Sequence, residues 1–105
     1  MDKKQILAEL GDIPESVYDE LVSEAFEQGT RQLVEIERFC VEKDLGKAAA
    51  VAHSIKGCFA NLRLQEISTA ARGLEEALRR KAARKDIAAL SAALAGLLAA
   101  SGTGR

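Results

Sequence analysis

The chain has 105 residues, 48% of them apolar and 30% charged, with a formal net charge of −1. That is enough for one modest core, too apolar for a disordered segment and too evenly charged for a dedicated polyanion binder. No apolar run approaches the roughly 20 residues that cross a bilayer, and Met1-Asp2-Lys3-Lys4 leads into no signal-peptide core; a cytoplasmic protein without membrane contact is expected.

Alanine and leucine abound, proline occurs once and β-branched residues are sparse, a composition that favours helix. Residues 2–10, DKKQILAEL, read as a short leading helix that stops at Gly11. Asp12 is a candidate cap for the next helix, with Pro14 in its first turn and Glu15 near the positive end of its dipole. That helix runs to about Lys43. Its Val22, Phe26, Gly29, Leu33, Ile36 and Cys40 alternate in spacing between four and three, which makes one buried seam. Gly29 costs about 1 kcal/mol against alanine there and marks close packing or a slight bend.

KDLGK breaks the pattern, and Asp44 is placed to cap the next helix, which carries Ala48, Ala52, Ile55, Phe59 and Leu62 on one side. After NLRL a further amphipathic segment repeats Leu64, Ile67, Ala71, Leu74 and Leu78. Beyond RRKAARK, Asp86 can cap a last helix built on Ile87, Leu90, Leu94 and Leu97, and the tail SGTGR, residues 101–105, is expected to fray. Four substantial helices with short connections and one apolar stripe each bury those stripes best as an all-α, antiparallel, up-down-up-down four-helix bundle. The chain reads as a single domain with its core at about residues 14–98 and a short extra N-terminal helix. Cys40 and Cys58 lie far apart, outside any CxxC, and with one histidine they make no ordinary structural zinc site; buried free thiols are expected.

That histidine is His53, in AVAHSIKGCFANL. Advancing about 100° per residue, Ala48, Ala52, Ile55, Phe59 and Leu62 fall within roughly 40° of a common direction, and His53 about 140° from it. The imidazole is thus expected on the outward face. Gly57, one turn on, leaves it uncovered and lets another surface approach, while Lys56 at i+3 can reach a group attached to the ring. An imidazole with an ordinary pKa near ~6.5 keeps a lone pair at neutral pH and is a competent nucleophile toward an activated phosphoryl group, whose charge a lysine can offset.

At these residues the chain resembles the histidine-containing phosphotransfer (HPt) family. Its signature is matched by Ala52, His53, Ile55, Lys56, Gly57, Asn61 and Leu62, and the downstream ARGLEEAL is similar to the family's A-x-x-L-E segment. The resemblance implies a phosphorelay intermediate. His53 would accept a phosphoryl group from a receiver-domain aspartate and pass it to another, Lys56 would neutralise the phosphoryl charge and Gly57 would give the ring room. It also implies no cofactor of the chain's own, with the aspartate and Mg2+ on the partner. Response-regulator receiver domains and a sensor or hybrid histidine kinase are the implied partners. The family usually has glycine where Arg63 stands; Asn61 is expected to take the left-handed terminal conformation instead. Cys58 replaces a small residue and fits.

No phosphate-cradling glycine loop or Walker lysine occurs, so the chain is read as a relay without ATP-dependent kinase activity of its own. Two alternatives stand beside this reading: a non-catalytic helical adaptor, and the phosphoacceptor domain of a hybrid or chemotaxis-type kinase. RRKAARK holds five basic residues in seven but no aromatic residue, and reads as a solvated helix end, not a nucleic-acid contact. Asp19, Glu20, Glu24 and Glu27 read as the wet side of the long helix. Partner docking is expected on small exposed residues of the histidine helix: Ala49, Ser54, Ala60 and Asn61. Phe26 is a seam residue only, the contribution of the long helix is open, and a monomer is expected.

Overall fold

In the computed structural model, which describes residues 2–103, the chain folds into helices α1 (Lys3–Glu9), α2 (Glu15–Val41), α3 (Leu45–Asn61), α4 (Gln65–Arg79) and α5 (Arg84–Thr103), with no strand among the described residues. Helices α2 to α5 pack each against its neighbours in sequence, and α5 closes the ring on α2: an antiparallel, up-down-up-down four-helix bundle. The 42 Å long axis matches α2, whose 27 residues span about 40 Å at 1.5 Å per residue.

The stripes meet largely as their periodicity requires, except that Leu98 and not Leu97 is buried on α5, and Leu64, Leu90 and Leu97 stay half-buried at the core's margin. Val22, Phe26, Leu33 and Ile36 of α2 join Ala48, Ala52, Ile55 and Phe59 of α3, Ile67, Ala71, Leu74 and Leu78 of α4, and Ile87, Leu94 and Leu98 of α5 in one core. Phe26 and Phe59 stack tilted with ring centroids 5.4 Å apart. Gly29 is where the bundle narrows: a Cβ there would lie 3.2 Å from Leu98 Cδ2 and 3.3 Å from Phe59 Cε2. Close packing is therefore its role.

Helix starts differ in part from expectation. Asp2 caps α1 in a capping box with Gln5, and Asp44 caps α3 by accepting from the Lys47 amide at 3.2 Å. Pro14, not Asp12, is the N-cap of α2; Asp12 has φ 57 and belongs to the turn after α1. Asp86 lies inside the first turn of α5, where its charge suits the dipole without capping. The tail expected to fray from residue 101 continues α5 to Thr103; residues 104 and 105 lie outside the described residues.

Helices α1 to α4 end alike, with a left-handed residue just past the helix: Gly11 (φ 90), Lys43 (φ 61), Arg63 (φ 64) and Lys81 (φ 54). After α3, the Arg63 amide donates to Ala60 O at 3.0 Å and the Leu64 amide to Phe59 O at 2.9 Å, the paired bonds of a Schellman stop. Thus Arg63 itself, and not Asn61, takes the conformation that glycine would adopt at no steric cost. Its guanidinium offsets the strain by donating to Ala60 O, Asn61 O and the Glu9 carboxylate, tying α1 to the end of α3. Tyr18 does the same for α2, its hydroxyl donating to Leu62 O at 2.6 Å.

Cys40 and Cys58 are free but half-buried, not buried, because each sits at the margin of its stripe. Burial still pushes both thiols up from their ordinary range, so they stay protonated at neutral pH and are poor nucleophiles.

Candidate functional site

Helix α3 sits between α2 and α4, with its seam inward and His53 outward. The His53 side chain keeps 59% of its surface exposed. What the sequence reading lacked is the group beneath it. Glu75 of α4, its side chain only 10% exposed, brings Oε1 and Oε2 to 3.2 and 3.1 Å from His53 Nδ1. The same carboxylate meets Lys56 Nζ at 3.3 Å and Arg79 Nε and Nη2 at 2.9 Å. Burial alone would push the Glu75 carboxyl up. The hydrogen bonds from Arg79, His53 and Lys56 outweigh it and hold the carboxyl below its ordinary 4.5.

An ionised carboxylate can only accept, so Nδ1 carries the proton and donates it to Glu75. Nε2, on the far edge of the ring, is left with the lone pair. The arrangement therefore selects one tautomer and orients the ring at a single nucleophilic nitrogen, with an ammonium and a guanidinium alongside. Lys56 rests on Glu75, the carboxylate that also holds Nδ1. Ser68 Oγ donates to the Lys56 carbonyl at 3.0 Å and ties this turn of α3 to α4.

Glu75 stands in the sequence within ARGLEEAL, where neither the helical pattern nor the family resemblance assigns it a role. The available signal was an acid at the edge of the Ile67–Ala71–Leu74–Leu78 stripe with an arginine at i+4. Nothing along one helix shows that this edge abuts His53; only the rotation of α4 against α3 does.

The expected docking residues separate. Ala49 is fully buried and cannot be a surface contact. Alanines on α3 (48, 49, 52) and α4 (71, 77) let the two helices approach closely, and the wider buried arc swallows Ala49. Ser54 and Asn61 are exposed, and Gly57 and Ala60 half-buried. A Cβ at Gly57 would touch nothing within 4 Å, so the room there is open to an incoming surface. Ser54 accepts a hydrogen bond from Gln32 of α2 at 3.2 Å, which fixes the rotation of α2 that the sequence left open. Leu21 (42% exposed) and Gln28 of α2 then line a shallow cavity of about 270 Å³ with Cys58 and Asn61 of α3. Phe26 stays in the core. Among the described residues no group of three or more His, Cys, Asp or Glu is placed to hold a metal ion, and no helix is long and apolar enough to cross a membrane.

A family model described as Hpt domain matches residues 20–103, from the first turns of α2 into the last turn of α5. No curated protein and no solved structure matches the chain.

Proposed function

The chain belongs to the Hpt domain family, the histidine phosphotransfer modules of phosphorelays, and on that premise we propose that His53 is its phosphoacceptor. The observation that carries the reading is the exposed imidazole whose Nδ1 is committed to Glu75. Nε2 attacks the phosphorus of a receiver-domain aspartyl phosphate. The N–P bond forms as the acyl-phosphate P–O bond breaks, and the aspartate leaves as a carboxylate. Reversal onto a second receiver completes the relay.

Each neighbour has a part that its position supports. Glu75 keeps the proton on Nδ1 before and after transfer, so no proton need move at the nucleophilic nitrogen. Lys56 shifts from Glu75 to the phosphoryl oxygens, while Arg79 stays on Oε2 and keeps the carboxylate balanced. Catalysis of this kind is positioning and charge stabilisation, with the acceptor aspartate and its magnesium ion contributed by the receiver. Gly57, Ser54, Ala60 and Asn61, with Leu21 and Gln28 of α2, form the surface on which the receiver docks.

The test is His53→Gln with phosphorylated receivers as donors. Acid-labile, alkali-stable label should be lost while receiver binding persists. Label retained in the variant, or a wild-type chain that binds receivers and never takes up phosphate, overturns the reading and leaves a helical adaptor.

A further inference from the structure

We propose that the seam between α2 and α5 is a second docking surface, fitted to an acidic amphipathic helix of a partner protein. Two cavities lie along it. One, of about 350 Å³, is walled by Val41, Leu45, Ala82 and Ile87, with Lys43 and Arg84 at its rim. The other, of about 270 Å³, shares Cys40, Arg84 and Ile87 with the first and continues past Ala88 and Ala92 to Ala95. From Arg84 to Ala95 the groove follows α5 for about 16 Å, some three turns of helix.

The apolar side chains that α2 leaves in water point to two surfaces. Val34 and Val41 are 62% and 72% exposed, Val17 and Leu21 40% and 42%. At 100° per residue the first pair lies roughly 130° around α2 from the second. Leu21 borders α3 on the His53 side, whereas Val41 borders α5. Val34 and Val41, spaced i and i+7, share one side of α2, Val41 as a wall of the first cavity and Val34 two turns back, outside both linings.

Charge sets the partner's chemistry. The up-down topology brings the α2–α3 and α4–α5 connections to the same end. There Lys43, Arg80, Lys81, Arg84 and Lys85 have no carboxylate within ion-pair distance among the described residues, whereas Lys47 is paired with Asp44. The overall charge of −1 conceals this basic end. Glu37 is the one carboxylate lining the two cavities, so the partner's acidic residues belong at the Lys43–Arg84 end. A nucleic-acid backbone has no use for an apolar floor and would find no aromatic side chain lining the groove to stack on. A second copy offers no fitting helix, because the acid-rich part of α2 turns its apolar side, Val22 and Phe26, into its own core. Since α5 lies diagonally across the bundle from α3, a partner on this seam leaves His53 free for a receiver.

The probe is a fluorescein-labelled peptide helix of Glu and Ala with one leucine stripe, titrated with the full chain at low salt and read by anisotropy. Binding with a Kd of roughly 10–100 μM is expected. It should weaken about tenfold or more in the Lys43→Gln/Arg84→Gln double variant and in Val41→Ser. All three positions are exposed, so circular dichroism and melting temperature should match wild type, and phosphoryl uptake at His53 should be unchanged in the double variant. Equal binding by the peptide with serine in place of leucine overturns the proposal, as does binding indifferent to these substitutions. Tighter binding of oligo-dT or phosphatidylserine vesicles, or a chain dimer dispersed by Val41→Ser, does so too.

Discussion

Glu75 accepts from His53, Lys56 and Arg79 at once, so its charge state governs both the tautomer and the orientation of the imidazole. Hydrogen bonds to charged groups are worth about 1.5–3 kcal/mol, and losing the one that orients the ring should slow phosphoryl acceptance roughly 10- to 100-fold in Glu75→Gln. The nitrogen shifts of His53 should report a mixture of tautomers in that variant; an unmixed Nδ1–H tautomer would refute the role. Because the folded-state pKa of Glu75 lies below its ordinary 4.5, its contribution to stability is present above pH 4.5 and lost as pH falls through the folded value. Denaturant melts should therefore show the gap between wild type and Glu75→Gln narrowing below about pH 4.5. Arg79→Gln leaves Lys56 as the one cation still paired with the carboxylate among the described residues, so Lys56 can no longer move to the phosphoryl group without stranding Glu75. Transfer should then fall, and urea melts should show a stability loss larger than the about 0.3–0.5 kcal/mol of an exposed i,i+4 pair, because Glu75 is only 10% exposed and loses a charged hydrogen-bond donor.

Four helix ends share one stop, yet only α1 uses glycine for it. A side chain at left-handed φ costs roughly 1–2 kcal/mol, which Lys43 and Lys81 bear without a side-chain hydrogen bond or ion pair among the described residues. Lys81→Gly should stabilise the protein by about 1 kcal/mol and raise the melting temperature by roughly 4–8 °C, measured by calorimetry. Arg63→Gly should gain far less, since it discards the bonds to Glu9, Ala60 O and Asn61 O. A basic residue at such a stop also faces the negative end of the helix dipole, a partial compensation that the sequence made visible. The sequence points to Asn61 for the stop because asparagine tolerates left-handed backbone, whereas Arg63 takes it. Two backbone hydrogen bonds and three to the guanidinium overrode that preference.

Across the whole bundle, Gly29 measures how closely α2, α3 and α5 can meet. In Gly29→Ala the added carbon meets Leu98 and Phe59 at 3.2 and 3.3 Å. That crowding is offset by a helix-propensity gain of about 0.8–1.0 kcal/mol, so stability should stay within about 1 kcal/mol of wild type. Gly29→Val has no such offset and should cost about 1–3 kcal/mol in urea melts. The seam that names Gly29 was legible because a buried stripe must repeat every 3.6 residues. What Gly29 touches was not.

The same division runs through the molecule. Apolar period, caps and breakers determined, from the sequence by itself, how many helices form, which side of each is buried and that His53 faces outward, because these are properties of one helix in its own frame. Only the tertiary structure decided the neighbours at each helix's edge: that α4 lays Glu75 under the imidazole, that α3 and α4 pack closely enough to bury Ala49, and that two connections pool their lysines and arginines at one end. The physical reason is that edge contacts depend on how neighbouring helices rotate against each other, and that rotation is set by side-chain volumes on both surfaces together.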